Sequence, residues 1–204
     1  ILTGNPVRNE VVKLEGKLQR AKEYFELNED KNTLLIVGGS LGAWSVNEGI
    51  ENSLNEFEKA GIQVVWQTGK LFYDRAVKAA EGRESWLKVH EFIKRMDLAY
   101  SIADLVVSRA GAIAVSELCL VKKPCILVPL PSAAEDHQTK NAMALVTHNA
   151  AKICKDANVR SDLGNMVLGL IESPSDLEKL SENMEPLGFH DAADLIASEV
   201  LKLV

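Results

Sequence analysis

Two short stretches carry residues whose types and spacing suit the binding of an anion. The first is VGGSLGAW, residues 37–44, in which Gly38, Gly39 and Gly42 let the backbone pass close to a ligand. Ser40 in the same loop has a hydroxyl able to cap a helix or to donate to a phosphate oxygen. The second stretch runs from Arg109 and Gly111 through Ala112, Ile113 and Ala114 to Glu117. A helix starting near Gly111 would offer its first-turn amides to a diphosphate, and Glu117 would reach ribose hydroxyls as a bidentate acceptor. Gln138 and Asn141, spaced i and i+3, share one face near the start of the next helix and both suit sugar hydroxyls.

Other chemistries compete for the first loop. The dinucleotide fingerprint G-x-G-x-x-G is not met, because Ser40 stands where the second glycine belongs. The acidic ribose partner fails too: the second strand ends in Gln67 and Thr68, and Glu58 falls inside a helix. NAD is therefore not expected. Gly42 is followed by Ala43 and Trp44 rather than by lysine and serine or threonine, which excludes a Walker-type nucleotide site. Gly38, Ser40 and Gly42 do satisfy G-x-S-x-G, the nucleophile elbow of serine hydrolases. Such an enzyme needs an acid and a histidine in that chain order, for which Asp136 with His148 or Asp162 with His190 are available. Nothing ahead of Ser40 resembles an HGGG-type oxyanion loop.

The elements that must position these residues follow from hydrophobic pattern. Apolar runs TLLIVGG, IQVVWQT, SWLKVHEF, DLVVS, PCILVPL and AAKICK alternate with amphipathic stretches at 42–60, 70–81, 93–102, 111–121, 137–149 and 161–171. Helices at 174–184 and 189–203 close the chain. Near-continuous apolar strands separated by helices predict an α/β fold, a doubly wound, Rossmann-like parallel sheet covered on both faces. In such a sheet, ligands bind beyond the carboxyl ends of the strands, and three strand-to-helix turns converge there. Residues 1–31 are expected to be an irregular leading segment and a helix, and 32–188 the ligand-binding domain. Residues 189–204 are expected to be a terminal helix that packs on this domain or on one outside the chain; Ala193, Ile196, Ala197 and Val200 form its apolar stripe. Trp66, in an apolar strand, is expected in the core.

With 204 residues and 47% hydrophobic composition the chain is long enough for a substantial core. A net charge of −6, from 23 Lys+Arg against 29 Asp+Glu, argues against a general nucleic-acid binder. Cys119, Cys125 and Cys154, odd in number and in apolar settings, predict reduced thiols and a cytoplasmic location. No window approaches the roughly 18 apolar residues of a membrane helix. His90, His137, His148 and His190 show no ligand spacing, so no metal is expected. The opening ILTGNPVR has neither initiator methionine nor signal-peptide order, so the chain is expected to be an excised or processed piece.

TGNPVR, VGGSLGA, WQTGK, EFIKRMDLAYSIADLVVSRAGAIAVSE and EDHQTKNA, in this order along nearly the whole chain, resemble the C-terminal, donor-binding domain of the MurG family of peptidoglycan N-acetylglucosaminyltransferases. The resemblance implies one half of a glycosyltransferase B fold that binds UDP-N-acetylglucosamine, requires no metal or other cofactor, and serves to make lipid II from lipid I. By position it places Ser40 and the amides of Ala112, Ile113 and Ala114 on the diphosphate, and the Ile93 backbone on uracil. Glu117 falls on the ribose, Gln138 and Asn141 on the sugar, and Arg8 along the cleft near the donor. Ala114 stands where many relatives have threonine, and Leu41 where a glutamine is common, so two side-chain contacts are in question. The lipid acceptor, the catalytic base and membrane contact at the cytoplasmic face of the inner membrane are implied for an N-terminal domain. His137 is weighed as a base and read instead as a polar first-turn residue. Another UDP-sugar transferase or UDP-N-acetylglucosamine epimerase of the same fold, the serine hydrolase, and a binding module without catalysis are the alternatives.

Overall fold

Leu34, Ile36, Val64, Trp66, Leu105, Val107, Ile126 and Val128 point to one face of a sheet, and Leu35, Val65, Val106 and Leu127 to the other. This period-2 split is what strands buried on both sides require, and it divides the core into two layers. The computed structural model describes residues 1–28 and 30–202. Its strands are β1 (Thr33–Val37), β2 (Gln63–Gln67), β3 (Leu87–His90), β4 (Leu105–Arg109), β5 (Cys125–Val128) and β6 (Lys152–Ile153). They form one sheet in the order β3-β2-β1-β4-β5-β6, with every neighbouring pair parallel. The doubly wound parallel sheet expected from the sequence is therefore present.

The helices are α1 (Asn9–Val12), α2 (Leu18–Phe25), α3 (Trp44–Asn52), α4 (Leu54–Lys59), α5 (Tyr73–Ala79), α6 (Met96–Ile102), α7 (Ala112–Val121), α8 (His137–Val146), α9 (Val159–Ile171), α10 (Pro174–Met184) and α11 (Ala192–Leu201). Val46, Ile50, Phe57, Ala76, Leu163 and Val167 cover the first face, so α3, α4, α5 and α9 lie there. Phe25, Leu98, Leu118 and Leu145 place α2, α6, α7 and α8 on the second. The apolar faces of these helices are matched to the sheet because parallel strands leave no room for solvent on either side.

The structure corrects several boundaries. The stretch 42–60 is two helices, separated at Ser53, whose hydroxyl donates to the Gly49 carbonyl at 2.9 Å instead of extending the ladder cleanly. AAKICK contributes only the two-residue β6, because it pairs on one side alone, with β5. The one-turn α1 interrupts the irregular leading segment. Trp66 is fully buried, as its apolar strand predicts. Cys119, Cys125 and Cys154 are buried and unpaired, and burial pushes the Cys119 and Cys154 thiols up to about 11. Ala192 anchors α11, whereas Val200 and Leu201 are exposed. Position 29 of the leading segment and positions 203 and 204 of the closing helix lie outside the described residues.

A charged clamp holds the leading segment to α6. Arg95 donates to both Asp97 oxygens at 2.8 and 2.6 Å, and Lys17 Nζ lies 2.9 Å from Asp97 Oδ2. The bonds from Arg95, and those from Lys17, hold the Asp97 carboxyl far below the usual carboxylate range despite its burial. A depressed carboxyl stabilises the fold above its unfolded pKa, and that contribution disappears as pH falls through the folded value. Asp97→Asn is expected to lower the unfolding free energy by about 1–3 kcal/mol at pH 7. The gap to the unsubstituted protein should narrow below about pH 4, where the unfolded chain begins to bind the proton. Urea midpoints measured from pH 7 down to pH 3 check this, and a gap that does not change with pH would refute it.

Candidate functional site

At the switch point of the sheet, β1 and β4 lie side by side and their following loops leave in opposite directions. The loops after β1, β4 and β5 all emerge at the carboxyl edge, so the glycine loop 38–43, the turn at Gly111 and the segment before α8 come together there.

In the first loop, Gly39 and Gly42 have φ of 78° and 82°. A Cβ on Gly42 would lie 2.2 Å from the Thr68 carbonyl oxygen, and one on Gly69 would lie 2.1 Å from the Gly42 amide nitrogen. The loops after β1 and β2 therefore touch backbone to backbone, which only glycine allows. Buried Asn47 fixes the same junction: its Nδ2 donates to the Thr68 carbonyl at 2.8 Å, and its Oδ1 accepts from Trp66 Nε1 at 3.0 Å. Ser40 is exposed on the outside of the turn. It does not cap α3, a correction to one of its two expected roles: the cap position is Ala43, without a side-chain bond, because the loop runs three residues beyond Ser40 before helical geometry begins. Trp44, edge-on to Phe72 at 5.2 Å, and Leu41 form an exposed apolar rim beside the loop.

The second loop leads into α7 with Gly111 at the cap and no side-chain bond to the first turn. The amides of Ala112, Ile113 and Ala114 thus lack an intrahelical partner and carry the positive end of the helix dipole. On the second turn, Glu117 Oε2 accepts from the buried Tyr100 hydroxyl at 2.9 Å. Burial raises the Glu117 carboxyl above its ordinary value, opposed by the Tyr100 bond and by the charge of Arg8. Arg8 itself is largely exposed and lies 3.9 Å from Glu10. It lines a cavity of about 430 Å³ with Lys17, Lys94 and Arg95.

Gln138 Oε1 accepts from the Leu130 amide at 3.0 Å, and Asn141 Nδ2 donates to the Ala110 carbonyl at 3.0 Å. Each amide side chain thus ties α8 to a neighbouring loop with one of its two polar atoms. Ile93 is buried and its amide donates to Gln67 Oε1 at 2.9 Å, so that amide is engaged within the fold.

Behind the loops lies a network that sequence reasoning missed. Arg109 Nη1 donates to Asp156 Oδ1 at 2.5 Å and Nη2 to Ser45 Oγ at 3.0 Å. Ser45 in turn donates to Asp156 Oδ1 at 2.6 Å, and Arg109 reaches the Val128 and Pro129 carbonyls at 3.3 Å each. One guanidinium thereby joins the ends of β4 and β5, the first turn of α3 and the segment after β6. The only local signal was a strand ending in arginine, which names no partner.

The hydrolase arrangement does not assemble. His148 follows α8 at the edge of the sheet opposite Ser40, and its Nδ1 faces the Ala144 carbonyl at 2.9 Å. His190 lies against Gly188, which packs on Leu120 at the far end of α7. His137 Nδ1 lies 2.7 Å from the Ala134 carbonyl, an ordinary first-turn contact. Among the described residues, no three His, Cys, Asp or Glu side chains gather as a metal site, and no helix is long and apolar enough to cross a membrane.

A Rossmann-like sheet with uncapped helix amides and a carboxylate at its switch point belongs to the class of doubly wound domains that bind nucleotides at the carboxyl edge. The sequence profile described as the glycosyltransferase family 28 C-terminal domain matches residues 33–196, and the chain belongs to that family. A protein of Parabacteroides distasonis named "UDP-N-acetylglucosamine--N-acetylmuramyl-(pentapeptide) pyrophosphoryl-undecaprenol N-acetylglucosamine transferase" is 45% identical over 100% of this chain and 56% of its own length. One of the same name from Phocaeicola vulgatus is 47% identical over 100% of this chain and 54% of its own. The crystal structure of Acinetobacter baumannii MurG superimposes with a TM-score of 0.77 at 26% identity, covering 99% of this chain and 57% of that one. The chain spans about half the length of the relatives it matches.

Proposed function

We propose that this chain is the donor-binding half of an inverting glycosyltransferase that takes UDP-N-acetylglucosamine and adds N-acetylglucosamine to the muramyl C4 hydroxyl of lipid I, forming lipid II in peptidoglycan synthesis. The observation that carries this reading is the meeting of the glycine loop, the uncapped α7 amides and Glu117 at one edge of the sheet. The names of relatives with which it shares nearly half its residues support the same donor and acceptor.

In this reading Ser40 and the amides of Ala112, Ile113 and Ala114 hold the diphosphate, and Glu117 holds the ribose. The Ile93 carbonyl meets uracil, Gln138 and Asn141 meet the sugar, and Arg8 lies along the cleft. The C4 hydroxyl attacks the anomeric carbon, the bond from that carbon to the diphosphate oxygen breaks, and UDP departs with the electron pair. Charge developing on that oxygen is met by the α7 amides, already oriented before the reaction begins. The hydroxyl proton passes to a base. That base, the lipid I site and contact with the cytoplasmic face of the membrane are assigned to the half of the longer relatives that this chain does not span. Residues 32–188 form the donor domain and the helix within 189–204 packs towards the other half. The chain alone is expected to bind donor without turning it over.

Calorimetric titration of the chain with UDP, UDP-N-acetylglucosamine, UDP-glucose and NAD, with and without magnesium, tests this. The two expected ligands should bind equally in both conditions and NAD should not. Glu117→Ala should weaken UDP by about tenfold or more, the loss of hydrogen bonds to a charged acceptor. Absence of uridine-nucleotide binding at millimolar concentration, or fluorophosphonate labelling of Ser40, would overturn the proposal.

A further inference from the structure

Tyr100 is 2% exposed, and among the described residues its hydroxyl has one hydrogen-bond partner, Glu117 Oε2 at 2.9 Å. A buried phenol needs a partner, and this one takes the site carboxylate rather than a backbone carbonyl of the surrounding helices. We infer that Tyr100 is a positioning residue for the donor: its hydroxyl fixes the Glu117 carboxylate so that the remaining lone pairs face two vicinal ribose hydroxyls. This rests on the donor-binding reading, in which Glu117 accepts from the ribose.

The geometry assigns Tyr100 more than packing. Glutamate has three side-chain torsions, and ordering them on binding would weaken the complex; a carboxylate already held by a buried donor avoids that loss. Oε2 uses one lone pair on Tyr100, which leaves one on Oε2 and two on Oε1 for the ligand. Tyr100 belongs to α6, the helix that begins three residues after Ile93. One continuous stretch of chain, 93–100, therefore carries both the backbone proposed to meet uracil and the hydroxyl that holds the carboxylate proposed to meet the ribose. The groups facing the pair are few. Arg8 acts on Glu117 from the leading segment, Cys125 faces Tyr100 from β5, and the neighbouring Asn5 to Ser116 hydrogen bond, 2.9 Å long, is uncharged.

The test compares UDP with 2′-deoxyuridine diphosphate, titrated into the unsubstituted chain, Tyr100→Phe and Glu117→Gln between pH 5 and 8. The unsubstituted chain should prefer UDP by about tenfold, the effect of leaving a carboxylate oxygen without its donor. In Tyr100→Phe, which keeps the ring, that preference should fall to about threefold or less as the carboxylate turns freely. Removing the phenol also removes a bond that favours the charged carboxylate, so affinity for UDP should be lost at higher pH than in the unsubstituted chain. The nucleotide's own phosphate titrates alike in both and cancels in the comparison. If Tyr100→Phe keeps the full preference and the same pH midpoint, the positioning role is refuted while the ribose reading stands. If the unsubstituted chain shows no preference and Glu117→Gln binds UDP normally, the ribose reading fails and the inference with it. Should Tyr100→Phe not fold, the Tyr100 Cζ chemical shift in the unsubstituted chain decides: it should follow the protonation of Glu117, and a shift that stays flat refutes the contact.

Discussion

Replacing Asp156 by alanine is expected to lower the unfolding free energy by about 2–4 kcal/mol and to weaken UDP binding in the same variant. The side chains of Arg109 and Asp156 are only 16% and 22% exposed, so removal of the carboxylate leaves a guanidinium that solvent reaches poorly. It also takes away the acceptor of the Ser45 hydroxyl and unties the segment after β6 from the guanidinium that joins the ends of β4 and β5 to α3. Asp156→Asn, which keeps an acceptor, should lose less, and Arg109→Leu combined with Asp156→Leu should lose less than the sum of the single changes. Burial pushes the Asp156 carboxyl up, but bonds from Ser45 and Arg109 outweigh it, and the carboxyl stays below its ordinary value. Its contribution is thus present above the unfolded pKa of about 3.9 and is lost as pH falls through the folded value. Urea unfolding of the variants at pH 7 and pH 3.5 measures both effects. Equal midpoints at pH 7 would show that the network contributes nothing.

Gly42→Ala should be the most damaging single change in the glycine loop, with a loss of about 2–4 kcal/mol in stability and tenfold or more in UDP affinity. The new methyl would sit 2.2 Å from a backbone oxygen, on a residue with φ of 82°, and no rotamer change can relieve a clash with main chain. The loop would have to lift from Thr68 and Gly69, carrying Ser40 with it. Gly61 supplies the comparison: its φ is 69° but a Cβ there meets nothing within 4 Å. Gly61→Ala should therefore show only the left-handed conformational cost of about 1 kcal/mol, without a change in affinity. Similar effects at the two positions would mean that backbone conformation, and not contact between the loops, accounts for the glycine at 42.

Strands, helices and the edge at which their loops gather were legible along the chain. TLLIV, QVVWQ and LVVSR are short, rich in β-branched residues and apolar on both faces, and that pattern is local: it suits a strand covered on both sides. The glycine loop and the helix start at Gly111 were visible for the same reason, since a turn's need for glycine is set within a few residues. The break at Ser53 and the shortness of β6 were less legible, because each depends on which neighbours are present to pair with or pack against.

The contacts that complete the site were decided by long-range packing. Arg109 and Asp156 are 47 residues apart, and Ser45 and Asp156 are 111 apart, so no window of sequence connects them. Ser40 illustrates the boundary between the two kinds of information. Its place in a glycine turn follows from the residues beside it, whereas its release from capping follows from where α3 begins once Gly42 is pressed against Thr68. Glu117 does so again: its position on the second turn of α7 is a matter of spacing, but the buried hydroxyl that holds it comes from α6 across the packed layer. Local pattern specifies elements because backbone and burial preferences act over a turn or a strand. Side-chain partners depend on how those elements dock, and that is settled by the packing of the whole domain.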